Sequence, residues 1–337
     1  MHVGRGALVN EEIPIEWAET IARTGHGTSP CYIVVAGHQG PCKDAAMQHR
    51  TVDIDGPVHY VDYGGSGRPI VLVHGLGGSS VNWIAVGPQL ARHGRVYALD
   101  LIGHGRTRSL GRRANVGSNR RMLGRFLDAV AREPALLMGN SMGGYLSLAE
   151  AAAEPERVAS LVLVNAAVPL APGARFDPRV TAMFFAMAMP VLGGALMLGR
   201  HRRGPEQGVR DILSLCCVDP SRVSREVFDA HVELARERAA EGRVNAHDFL
   251  AAQRSLMVRL MRRRHFFKMV ATIRSGALIV QGRRDRLVRV EATRALAAAR
   301  PDWRLEILED IGHVPQLEAP DRFLAVVEPW LQGRAAA

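Results

Sequence analysis

Three residues able to share one acyl-transfer reaction occur in the order Ser141, Asp285, His313. A serine hydroxyl is a weak nucleophile until a base stands within hydrogen-bond reach. Histidine, with an ordinary pKa near ~6.5, exchanges a proton readily at neutral pH. An aspartate behind the ring holds its tautomer and stabilises the imidazolium as the serine attacks. Ser141 lies in Met138-Gly139-Asn140-Ser141-Met142-Gly143-Gly144, a G-x-S-x-G pattern. Glycines on both sides of the nucleophile allow a sharp strand-to-helix turn that larger side chains would obstruct. In a chain with 34 glycines the pattern alone is weak. Taken singly, Ser141 also reads as a turn serine, Asp285 as a loop acid beside arginines and His313 as a helix cap.

Placement separates these readings. The apolar run Ile70–Val73 suits a buried strand, and His74-Gly75-Leu76-Gly77-Gly78 follows it. From that loop and the elbow, the backbone N–H groups of Leu76 and Met142 could converge on a substrate carbonyl oxygen. Ala135–Met138 is a short strand before Ser141, and Tyr145–Ala153 a helix after it. Asp285 follows strand Ala277–Val280, and His313 follows strand Leu305–Leu308. All three reactive residues thus fall at C-terminal ends of parallel strands, where open α/β sheets gather their ligands.

The remaining pattern supplies the frame. Thr51–Asp53 and Val58–Asp62 alternate around Asp55-Gly56 as a hairpin. Val96–Leu99 and Val158–Val164 read as strands, Arg120–Ala131 and Ala292–Ala299 as helices. A last helix, Arg322–Leu331, places Phe323, Val326, Val327 and Trp330 on one face. The alternation predicts an α/β fold with a mostly parallel sheet covered on both sides. Residues 1–46 read as an irregular extension, or as sequence upstream of a start at Met47. Residues 47–168 and 272–334 form the core, and 169–271 a helix-rich block between two strands. In that block, Val180–Gly199 carries no charge. It is long enough to span a bilayer, but Pro190 and Gly193-Gly194 divide it. A span would also separate the two halves of one sheet. The favoured reading is a Met-rich apolar cap over the site, with peripheral contact to lipid left open.

The 337 residues are 47% hydrophobic, enough for a large core and unlike a disordered chain. The formal charge is +10, yet all but two of the 43 basic residues are arginine and most are scattered. With no groove-reading motif, nucleic acid is not an expected partner. Cys31, Cys42, Cys216 and Cys217 have no metal-ligand spacing, and the N-terminus lacks a signal-peptide pattern. A reduced, cytoplasmic protein is expected. The sequence does not settle oligomeric state.

From about Met47 to Leu331 the chain resembles the α/β-hydrolase superfamily. The resemblance rests on the His74-Gly75 loop, the Asp100-Leu-Ile-Gly-His-Gly-Arg-Thr107 turn, the elbow at Ser141, and the late Gly282-x-x-Asp285 and Gly312-His313 motifs. It implies an eight-stranded sheet with a cap inserted after the sixth strand. It also implies Ser141 as nucleophile, His313 as base, Asp285 as its orienting acid, Leu76 and Met142 as oxyanion donors, and no metal or organic cofactor. His104 matches a structural turn of that family. The elbow is similar to that of meta-cleavage-product hydrolases, which cut carbon–carbon bonds. Val314 and Leu76 stand where those enzymes typically carry Trp and Pro, and Gly312–Glu318 looks closer to esterases and monoacylglycerol-type lipases. The expected function is cleavage of a carboxylic ester with an apolar acyl group. The alternatives are carbon–carbon bond hydrolysis and a non-catalytic ligand-binding member of the fold.

Overall fold

The computed structural model describes residues 47–171, 178–239 and 241–335; the expected extension 1–46 lies outside them. Eight strands form one sheet: β1 (Gln48–Asp53), β2 (Pro57–Gly64), β3 (Pro69–Val73), β4 (Arg95–Leu99), β5 (Ala135–Asn140), β6 (Val158–Val164), β7 (Gly276–Gly282) and β8 (Arg304–Leu308). Their order is β1-β2-β4-β3-β5-β6-β7-β8. The hairpin β1–β2 is antiparallel, as is the pairing of β2 with β4, and the other pairs are parallel.

The central strands are apolar at nearly every position because helices cover both faces. Successive residues enter opposite layers. Val71 and Val73, Leu161 and Leu163, and Ala277 and Ile279 join one core. Ile70 and Leu72, Val162 and Val164, and Leu278 and Val280 join the other. The first layer is closed by α2 (Val116–Phe126), α3 (Met142–Ala153) and α10 (Val290–Ala299). The second is closed by Trp83, the short α1 (Gly87–Leu90) and α11 (Pro320–Ala335), which buries Phe323, Val327 and Trp330.

Helix α2 begins four residues before the expected Arg120. Asn115 accepts a hydrogen bond from the Ser118 N–H at 2.9 Å and caps it. Its last turn, Leu127–Ala131, widens into a π turn that stops at Arg132 in the left-handed region, φ 62°.

Between β6 and β7 lie α4 (Pro178–Ala188), α5 (Pro190–Arg202), α6 (Pro205–Cys216), α7 (Arg225–Ala239), α8 (Gly242–Met261) and α9 (Arg263–Ala271). The long apolar run is therefore two helices that part at Met189, before Pro190. Among the described residues no helix is long and apolar enough to cross a membrane.

Candidate active site

Ser141 directly follows β5 and precedes α3, in a conformation (φ 54°, ψ −116°) that side chains rarely adopt. The turn holds because the backbone closes around it. The Ser141 N–H donates to the Val164 carbonyl at 3.0 Å, and the Ser141 carbonyl accepts from Tyr145 and Ala167 at 3.1 and 2.9 Å. A Cβ on Gly143 would stand 2.1 Å from the Val73 oxygen, and one on Gly144 2.5 Å from the Ala166 Cβ. The glycines of the motif are therefore demanded by contact with β3 and with the segment after β6.

Met142 opens α3, so its N–H has no acceptor within the helix. Across from it runs the loop after β3, close enough that a Cβ on Gly75 would lie 3.0 Å from the Ser141 Cβ. Leu76 follows Gly75 in this loop. The fold thus brings the backbone at Leu76 and Met142 to the same strand ends as Ser141, the setting an oxyanion site needs.

Asp285 and His313 meet directly. The His313 Nδ1 lies 2.7 Å from Asp285 Oδ2, with both side chains buried. The other carboxylate oxygen accepts from the N–H groups of Leu287 at 2.7 Å and Val288 at 3.0 Å. Asp285 is thereby fixed by its own loop before it meets the imidazole. With Nδ1 committed to the carboxylate, Nε2 is the ring nitrogen that a general base would use.

Two asparagines join these pieces: Asn140, within the elbow pattern, and Asn165, which belongs to none. Asn165, just past β6 at φ 46°, donates to Asp285 Oδ2 at 2.6 Å and to the Gly312 carbonyl at 3.1 Å. Its own oxygen accepts from Gly282 N–H at 3.2 Å. Asn140, beside Ser141, donates to the carbonyls of Val164 and His313, both at 3.1 Å. Glu318 is also new. It is buried, accepts from Gly312 N–H at 2.8 Å with one oxygen, and from Val218 and Asp219 N–H at 2.8 and 3.0 Å with the other. A sequence clue existed for Glu318, which closes the Gly312–Glu318 run, but none existed for Asn165.

Asp100 and the histidines near it do structural work. Asp100 accepts from the Ser80 and Arg106 N–H groups at 2.6 and 2.8 Å, and its Oδ2 lies 2.7 Å from His59 Nδ1. Burial would raise its pKa, but the bond and charge of His59, then His74, outweigh this and hold it down at about 2. His104 is buried and bonded through Nδ1 to the Ile102 carbonyl, away from Ser141's neighbours named above. Among the described residues no group of three His, Cys, Asp or Glu side chains could hold a metal.

Residues 68–320 match the family of proteins with the alpha/beta hydrolase fold. The chain belongs to that family. This hydrolase is 27% identical over 286 residues to a 2-hydroxy-6-oxononadienedioate/2-hydroxy-6-oxononatrienedioate hydrolase of Dechloromonas aromatica, a match covering 83% of this chain and 92% of the other. A crystal structure of a membrane phospholipase A, described as a bacterial virulence factor, superposes with a TM-score of 0.67 at 25% identity, covering 86% of this chain and 87% of that one. The haloalkane dehalogenase DatA of Agrobacterium tumefaciens C58 reaches 0.73 at 19% identity, over 86% and 97% of the two chains, and shares the fold alone.

Proposed function

We propose that this hydrolase cleaves carboxylic esters of apolar acyl groups through an acyl-enzyme on Ser141. The observation that carries the reading is the 2.7 Å contact of Asp285 with His313 Nδ1, at the same strand ends as the strained Ser141 turn. In the first half-reaction Ser141 Oγ attacks the ester carbonyl while His313 Nε2 takes its proton. Charge on the carbonyl oxygen falls to the N–H groups of Leu76 and Met142. The imidazolium, held by Asp285, then passes its proton to the leaving alcohol. Water, activated by the same ring, releases the acid and restores Ser141. No step calls for a metal or organic cofactor.

The apolar preference rests on the helices between β6 and β7, which carry the half-buried Met183, Met187 and Met197 and would act as a cap. Methionines adapt to varied apolar shapes.

Hydrolysis of p-nitrophenyl esters of graded chain length, wild type beside Ser141→Ala, tests the reading. Turnover should fall by about 10³-fold or more in the variant, with the preferred chain length reporting the space beneath the cap. Wild-type turnover that survives the substitution would refute it.

A second reading, carbon–carbon bond hydrolysis of a ring-fission dienoate, is favoured by the relatives at 27% identity that bear that activity's name. Val314 and Leu76 depart from that group's pattern. Turnover of such a dienoate with none of simple esters would reverse the order.

A further inference from the structure

A water-facing helix normally hides one apolar stripe and shows a polar face. Helix α5 does not. Of its side chains from Val191 to Gly199 only Gly193 is buried, while Val191 is 86% exposed and Leu192, Leu196 and Leu198 also face solvent. The adjoining end of α4 adds Phe185 and Met189, 58% and 57% exposed. Gly193 makes the close approach: a Cβ there would meet the Met187 oxygen at 2.2 Å and Leu250 Cδ2 of α8 at 3.3 Å. A contiguous apolar surface of this kind marks an interaction site.

The charges around it say what kind. Residues 178–205, which run through α4 and α5, contain four arginines and no acid. Arg202 at the end of α5 and Arg203 just after it are exposed. Arg203 pairs with Asp211 at 2.8 Å. We propose that α5 and the end of α4 dock on an anionic lipid surface, apolar side chains entering the interface and arginines meeting the headgroups. A second copy of the chain would press like charges together in a protein of formal charge +10. The 13 residues of α5 reach about 20 Å, short of the ~30 Å hydrocarbon core, so the helix lies in the interface rather than across it.

The surface is coupled to the site. Phe249, next to Leu250 on α8, is so close to the loop after β3 that a Cβ on Gly77 would lie 3.0 Å from its ring. Docking stands independently of the ester reading; only the further step, that lipid-borne ester enters from this surface, rests on it.

The test is co-sedimentation of the full chain with vesicles of phosphatidylcholine alone and of phosphatidylcholine with phosphatidylglycerol. Three proteins are compared: wild type, Val191→Asp/Leu196→Asp, and Arg202→Glu/Arg203→Glu. Wild type should bind the anionic vesicles at least tenfold more tightly than the neutral ones. The aspartate pair should abolish binding without changing the melting curve or the hydrolysis of a soluble short-chain ester. The glutamate pair should weaken anionic binding by at least fivefold per arginine replaced. Failure of wild type to bind either vesicle, or equal binding by the aspartate variant, overturns the proposal. So does a concentration-dependent dimer by light scattering that the aspartate pair abolishes. Loss of ester turnover with intact vesicle binding would count against the ester reading alone.

Discussion

The backbone N–H of His313 donates to the carbonyl of Cys216 at 2.6 Å. Cys216 ends α6, so the proposed base is tied by its own main chain to the helices between β6 and β7. The tie is packed as well as bonded. Val314 and Leu317 share a small core with Val209, Leu213, Cys217, Val223, Val227 and Val232. A shift of α6 therefore moves the imidazole.

Glu318 is the polar half of that joint, and its neutral analogue should loosen it. In Glu318→Gln one carboxylate oxygen becomes an amide donor facing N–H groups that need an acceptor. Loss of charge-assisted bonds to buried donors costs about 2–3 kcal/mol. We expect a lower denaturation midpoint by chemical unfolding, and a fall in kcat larger than the change in KM. An unchanged kcat would show that the joint does not position His313.

Asn165 should matter to turnover through Asp285. Asn165→Ala removes the 2.6 Å bond to the carboxylate. A bond of this charged kind is worth about 1.5–3 kcal/mol, hence roughly 10- to 100-fold in kcat/KM. Asn165→Asp would instead set a second negative charge beside Asp285 and favour the imidazolium. The acid limb of the kcat/KM profile should move to higher pH, a shift that a merely structural defect would not produce.

Glycine substitutions separate contact from helix propensity. A Cβ at Gly143 would stand 2.1 Å from a backbone oxygen, so Gly143→Ala should cost about 3 kcal/mol or more. Gly194 in α5 has nothing within 4 Å of such a Cβ, and Gly194→Ala should stabilise the protein by up to about 1 kcal/mol. Thermal melts of the two variants check both signs.

Acid should weaken the fold through His104. Burial, then the charge of His74, lowers its pKa to about 3, against about 6.5 when unfolded. The native state binds its proton less readily, so stability from this group is complete above about pH 6.5 and lost progressively toward pH 3. Between pH 7 and 4 the loss is on the order of 3 kcal/mol. Denaturant titrations across that range should show a shallower decline for His104→Gln than for wild type.

The strands were legible because each central one is a short apolar run ending in a turn, and the elbow was legible because contact with Val73 and Ala166 allows only glycine. The division of the apolar run at Pro190 was likewise readable, since proline lacks the N–H that a continuous helix would use. Where α2 begins and how it ends were not. A side-chain cap from Asn115 and a widened bond from Arg132 N–H to the Leu127 carbonyl are choices the local pattern leaves open. Asn165 was invisible for a deeper reason. Its partner Asp285 lies 120 positions away, and only the pairing of β6 with β7 makes them neighbours.

That pairing, Ser160 with Gly276 through Val164 with Val280, also governs how the chain assembles and how it could diversify. The ladder must close over everything threaded between the two strands, so it is a late, non-local event in folding. The entropy of closing a loop grows only with the logarithm of its length, about 0.6 kcal/mol per doubling. Segments of quite different size can therefore be exchanged at this seam at small thermodynamic cost. Ser141 would remain upstream of the graft, and Asp285 and His313 downstream. The reactive machinery and the substrate preference can thus be inherited separately, with the Cys216–His313 joint as one place where a new graft must still fit.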